Sequence, residues 1–134
     1  MNGLALEKVR AIMYDRNKIF AKFNGHCAYC GEPLGKRWQA DHVVPLYRNN
    51  TDEELERMGI VRGEDNEDNL VPSCQSCNYH KSTYTVEGFR ERIKQFVTAL
   101  NRDSVQYRMA KKYGLVKETD NEIEFYFEKY DKSK

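Results

Sequence analysis

Residues 40–45 read Ala40-Asp41-His42-Val43-Val44-Pro45, and two cysteine pairs bracket them: Cys27-Ala28-Tyr29-Cys30 upstream and Cys74-Gln75-Ser76-Cys77 downstream. Asn69 lies between the Asp-His pair and the second cysteine pair, and Asn78 and Lys81 follow it. Oxygen donors for a hard cation and an imidazole suited to proton transfer are thus interleaved with four soft thiols. Two Cys-x-x-Cys pairs predict one structural zinc on Cys27, Cys30, Cys74 and Cys77. The alternative is a set of free or redox-active thiols. A thioredoxin-like pair, however, requires a βαβ setting and leaves the second pair unexplained. Forty-three residues separate Cys30 from Cys74, more than an ordinary ribbon spacing, so the Asp-His pair and Asn69 are carried on an insertion between the knuckles.

Around the pair, residues 37–44 read as a strand. Trp38, Ala40 and His42 fall on one face, and Gln39, Asp41 and Val43 on the other. Neighbouring residues on a regular strand point apart. For Asp41 and His42 to serve one site, the strand must bend there or the site must lie at its end, and Pro45 fits such an ending. Leu70-Val71-Pro72 is a short apolar entry. Ser73 is then a candidate cap for a helix carrying Cys74, Cys77, Asn78 and Lys81.

The flanks are helical in pattern. Leu6, Val9, Ile12, Met13, Ile19, Phe20 and Phe23 predict a helix over residues 4–23, stopped by Asn24-Gly25. Residues 51–58 predict a short helix capped by Thr51 or Asp52 and ended by Gly59, and residues 62–69 have loop composition. Thr85 should cap a helix from Val86 to about Leu100 with Phe89, Ile93, Phe96, Val97 and Leu100 inward. Asp103 should cap another, over residues 104–113. Residues 122–128, Glu-Ile-Glu-Phe-Tyr-Phe-Glu, alternate and read as a half-buried C-terminal strand.

The chain of 134 residues, 40% apolar and 32% charged, is expected to form one domain with a lean core that a metal staple would help. The core is expected over about 24–84 and an extension over 85–134. No apolar run is long enough to span a bilayer, and the start lacks the features of a secretory signal. The expectation is a cytoplasmic protein with no membrane partner. Net charge is +1, but residues 51–68 hold eight acids against two arginines, whereas residues 87–117 hold eight Lys or Arg against three acids. That segregation makes Arg90, Lys94, Arg102, Arg108, Lys111 and Lys112 candidate phosphate contacts; solvated helix surface is the plainer alternative.

Phosphodiester hydrolysis requires deprotonation of a water, stabilisation of a pentavalent phosphate and neutralisation of the leaving oxygen. His42 suits the first task. A cation held by oxygens of Asp41 and Asn78 suits the other two. Asn69 could orient His42 through its second ring nitrogen or hold the adjoining loop.

Taken together, Asp-His-Val-Val-Pro, Asn-Leu and Cys-x-x-Cys-Asn-x-x-Lys, all after a first Cys-x-x-Cys, resemble the HNH endonuclease family. The resemblance covers about Cys27 to Lys81, less than half the chain. It implies an α+β, ββα-metal core stapled by a Cys₄ zinc site. It further implies metal-dependent cleavage of DNA leaving 3′-hydroxyl and 5′-phosphate ends. By that resemblance Asp41 and Asn78 hold a catalytic divalent cation (Mg²⁺ or Mn²⁺), His42 is the general base, and Asn69 positions the histidine and its loop. His80, Lys81, Arg90 and Lys94 are carried as candidate DNA contacts, and a homodimer would be one route to double-strand cleavage. The sequence departs from compact members in its long, acidic 43–68 segment and in His80. An RNA nuclease and a non-catalytic zinc-stabilised nucleic-acid-binding module are the rival expectations.

Overall fold

A computed structural model describes residues 14–130. The Asp-His stretch becomes β1 (Gln39–His42), paired antiparallel with β2 (Leu70–Ser73) in the register Gln39↔Ser73, Ala40↔Pro72, Asp41↔Val71, His42↔Leu70. β1 is shorter than the predicted 37–44. Beyond His42 the ladder passes to Asn69, whose carbonyl accepts from Val43 N and whose side-chain oxygen accepts from Val44 N. Proline within β2 is tolerated because Pro72 lacks only a donor; its carbonyl accepts from Ala28 N and ties the first knuckle to the sheet.

Helices surround this hairpin. α1 (Arg16–Ala21) precedes β1, α2 (Asp52–Met58) lies in the long connection between the strands, and α3 (Gln75–Lys81) follows β2 directly. α4 (Val86–Asp103), α5 (Val105–Lys112) and the short α6 (Tyr126–Lys129) form the extension. The hairpin followed by α3 is a ββα unit, and the fold is a small α+β one.

Local chemistry accounts for the boundaries. α1 begins at Arg16, because the Asp15 carboxylate accepts from the backbone of Asn17 and Lys18. Tyr14 and Asp15 are therefore not helical, and the predicted residues 4–13 lie outside the described ones. α2 has a full capping box: Thr51 Oγ1 accepts from Glu54 N, and Glu54 accepts from Thr51 N. Gly59, at φ 70°, ends it. Ser73 stays in β2 and Cys74 caps α3 instead, its sulfur accepting from Cys77 N. α4 runs three residues past the predicted Leu100, and Ser104 takes the cap of α5 that Asp103 was expected to supply.

The expected C-terminal strand does not form. Residues 121–125 are extended without a strand partner, and α6 follows, closed by Glu128 accepting from Phe125 N. The alternation reflects genuine burial, with Phe125 only 3% exposed. A period of two needs only an extended chain with one buried face, however, and a strand also needs a ladder. Here Arg90 donates to the Ile123 carbonyl, while Tyr126 N and Phe127 N reach the knuckle carbonyls of Tyr29 and Ala28.

The core joins knuckle, sheet and extension. Phe23, Cys27, Ala28, Tyr29, Val71, Phe89 and Phe125 form one buried cluster. The Tyr29 ring stands edge-on to Phe89, Phe125 and Phe127, with centroids 5.5–6.0 Å away. The inward stripe of α4 is only partly realised: Phe89 is buried, whereas Val97 and Leu100 are exposed. No described helix is long and apolar enough to cross a membrane.

Candidate metal centre and catalytic cleft

The four cysteine sulfurs converge, all lying within 4.8 Å of one another. None is in a disulfide, and Cys30 Sγ and Cys74 Sγ are 3.9 Å apart. Four sulfurs on a tetrahedron with metal–sulfur bonds of about 2.3 Å are separated by roughly 3.8 Å, so this set fits a zinc ion with little adjustment. The thiols are poor company without a cation. A hydrogen bond with Cys77 favours a thiolate at Cys27, and the Cys77 thiol is correspondingly pushed up. Burial raises Cys30 to about 12. His26 takes no part: its Nδ1 lies 3.2 Å from the Phe23 carbonyl and 3.0 Å from that of Asn24.

Asp41 and His42 lie at the end of β1 and line one cavity of about 510 Å³ with Pro45, Tyr47, Arg48 and Ser82 among its other walls. The strand end reconciles their opposed directions. Asp41 is buried, its Oδ2 accepting from Tyr29 Oη (2.5 Å) and paired with Lys81 Nζ (3.0 Å). Burial, and after it the Asp41 charge, drives the Tyr29 phenol strongly upward, so it remains a donor. Oδ1 has no protein hydrogen bond among the described residues, which leaves one carboxylate oxygen for a cation.

The DNA contact expected of Lys81 does not fit its burial. Its side chain is 0% exposed, and Nζ also donates to the His42 carbonyl (2.9 Å). One buried ammonium thus holds both members of the Asp-His pair. Such a pair adds little net stability over apolar packing, but removing one partner strands the other charge. Lys81→Ala is expected to cost about 3–5 kcal/mol, read as a lowered urea midpoint of the zinc-loaded protein. A midpoint equal to that of the wild type would contradict the clamp.

Asn69 does not touch the His42 ring. It closes the loop, with Oδ1 accepting from Val44 N and Nδ2 donating to the carbonyls of Val44 and Glu64. Of the two roles open to it from sequence, this geometry matches the loop-holding one. Gly63 completes that closure, since a Cβ there would lie 1.9 Å from the Val44 carbonyl oxygen. The ring partner of His42 is Asp65: Nε2 donates to Asp65 Oδ1 at 2.8 Å. Arg48 Nη2 lies 3.8 Å from the other Asp65 oxygen. Sequence reading missed Asp65 because it sits in an acidic run that looks like solvated loop.

Asn78 faces β1, its amide nitrogen donating to Gln39 Oε1, and its oxygen has no hydrogen bond among the described residues. It lines a neighbouring cleft with Tyr79, Ser82, Tyr84 and Arg92, not the cavity of Asp41 and His42. Asp41 Oδ1 and Asn78 Oδ1 are each chemically suited to a hard ion, but they open onto separate clefts.

The other candidate contacts divide. His80 packs its ring on Phe96 of α4 (5.3 Å), and its Nδ1 is buried without a partner among the described residues. Arg90 is an internal latch, paired with Glu87 and Glu128 and lying over Phe125 at 4.8 Å. Arg102 pairs with Asp103, Arg108 donates to the carbonyls of Asn101 and Arg102, and Lys111 pairs with Glu118. Much of the expected basic face is thus committed to partners within the extension. Lys94 remains half-exposed, 4.0 Å from Glu91.

A ββα unit whose knuckles gather four thiols and whose first strand ends in Asp-His fits the ββα-metal class. Residues 27–83 match the family described as HNH endonuclease. No curated protein matches the chain.

Proposed function

We propose that this protein is a metal-dependent endonuclease that hydrolyses DNA phosphodiester bonds, with the cavity at the end of β1 as its active site. The observation that carries the reading is the opening of Asp41 and His42 onto one cavity, on a sheet whose following helix shares in the four-cysteine cluster. His42 takes the proton of an attacking water as its oxygen bonds to phosphorus and the bond from phosphorus to the 3′-oxygen breaks. The leaving oxygen then gains a proton from solvent, giving 3′-hydroxyl and 5′-phosphate ends. Asp41 and Asn78 would hold the divalent cation, which when bound supplies charge stabilisation to the phosphate and leaving oxygen. Tyr29 and Lys81 fix the far oxygen of Asp41, and Asn69 holds the loop. Packing of Phe89 and Phe125 into the knuckle cluster supports one unit running from the HNH core into the extension. One site cuts one strand, so a double-strand break requires two copies or two successive nicks.

Arg48 supplies the exposed cation on the cavity wall. Arg48→Ala is expected to raise KM with little change in kcat. It should also reduce the slope of log affinity against log salt by about 1, as for one lost phosphate contact. An unchanged salt slope would remove Arg48 from the substrate surface. Substrate class is tested by offering the zinc-loaded chain supercoiled plasmid and a structured RNA transcript, each with Mg²⁺ or Mn²⁺. Plasmid nicking with the RNA left intact is the expected result. RNA cleavage alone would favour the RNA-nuclease reading, and no cleavage of either would favour a zinc-stabilised binding module.

A further inference from the structure

We infer that Asp65 is a positioning residue that selects the tautomer of His42 and so decides which ring nitrogen faces the substrate. The inference rests on the proposed role of His42 as a base and adds a residue to it. An ionised carboxylate can only accept, so the 2.8 Å contact between His42 Nε2 and Asp65 Oδ1 places the ring proton on Nε2. A neutral imidazole has one proton, and Nδ1 is then left as the bare lone pair. Nδ1 has no hydrogen bond among the described residues, and the ring lines the cavity. Nδ1 is therefore the nitrogen available to take a proton from water.

The placement of Asp65 is built, not incidental. Asn69 Nδ2 donates to the carbonyl of Glu64, the residue immediately before Asp65, at 2.8 Å. Gly63, two residues before Asp65, donates its N–H to the Pro45 carbonyl (2.9 Å) and approaches Val44 too closely for any side chain. Asn66, on the other side, accepts from Asn69 N through its side chain and donates to Glu64 Oε2. The acidic loop is thus fastened on both sides of Asp65 to the segment that leaves β1. The effect of Asn69 on the histidine is indirect: it fixes the backbone that carries Asp65, and Asp65 fixes the ring.

The test is nitrogen-15 NMR of the histidine rings in the zinc-loaded full chain, without added divalent cation, at a pH well above the ordinary histidine range. His26 and His80 complete the set of three histidines, so the spectrum is assignable by single substitutions. Wild type is expected to show His42 with Nε2 protonated and Nδ1 bare. In Asp65→Ala the His42 signals are expected to move toward a mixture of tautomers. On plasmid, kcat should fall about 10- to 100-fold, as for loss of a group that orients a functional histidine, with KM little changed. Nδ1 protonated in wild type would overturn the assignment, even if Asp65→Ala proved unable to fold. An Asp65→Ala spectrum and kcat equal to those of wild type would also overturn it. A wild-type chain that nicks no DNA, yet shows the Nε2 tautomer and loses it in Asp65→Ala, would sink the nuclease reading alone and support the Asp65 assignment.

Discussion

Cys27→Ser is expected to abolish cooperative folding and zinc retention together. Cys27 is 0% exposed and sits at the junction of the first knuckle, β2 and the aromatic cluster. Its sulfur also accepts from Cys74 N, so it joins the two knuckles before any metal is considered. In small zinc domains the binding free energy is folding free energy, on the order of 10 kcal/mol, which is comparable to the whole stability of an ordinary domain. Among the described residues the cluster holds seven buried residues, a small core to carry the fold without the staple. One zinc per chain is expected by elemental analysis of protein purified without chelator. A strong chelator should broaden or erase the unfolding transition. Because thiols must lose protons to bind metal, zinc affinity should rise with pH and fall in acid. Protein that contains no zinc yet unfolds cooperatively would contradict this account of the fold.

The second large effect separates base from ligand. His42→Ala should lose roughly 10²- to 10⁴-fold in rate, the usual worth of a general base, while binding Mn²⁺ and DNA nearly as wild type does. Asp41→Ala should weaken the divalent-cation site itself, and excess Mn²⁺ should restore part of its activity by mass action. It also leaves Lys81 buried without its carboxylate, so its folded fraction must be measured alongside. Asp41→Asn keeps the shape of the side chain and is the better variant for the titration. Asn78→Ala should resemble it more mildly, since an amide oxygen carries no formal charge. Calorimetric titration of Mn²⁺ into each zinc-loaded variant decides the matter. Metal binding lost in His42→Ala and intact in the Asp41 variants would reverse the assigned roles.

Ligand spacing and side-chain alternation made the centre of the fold readable. Two Cys-x-x-Cys pairs predict one tetrahedral ion, and the four sulfurs converge closely enough to hold one. Alternation put Asp41 and His42 on opposite faces, and the strand end at His42 reconciles them. Thr51, Glu54 and Gly59 bounded α2 through local hydrogen bonds that need no tertiary context.

What stayed hidden depends on long-range partners. A buried lysine is rare, so Lys81 looked like surface charge until Asp41 and the His42 carbonyl were placed around it. Asp65 looked like one more acid in a polar loop, because the closure that aims it joins residues far apart in sequence. Arg90 read as a phosphate contact for the same reason: Glu128 and Phe125 return from the far end of the chain to cover it. The alternating 122–128 segment was legible in burial and misleading in hydrogen bonding, since its carbonyl partner is a side chain and its amides meet a knuckle.

The most direct test of the central claim is the initial rate of supercoiled-plasmid nicking by wild type and His42→Ala, matched for zinc content and supplied with Mg²⁺. The account predicts nicking by wild type that a chelator of the divalent cation stops, and a rate at least about a hundredfold lower for His42→Ala. Equal nicking rates for the two proteins would show that the cavity at the end of β1 is not the site of hydrolysis.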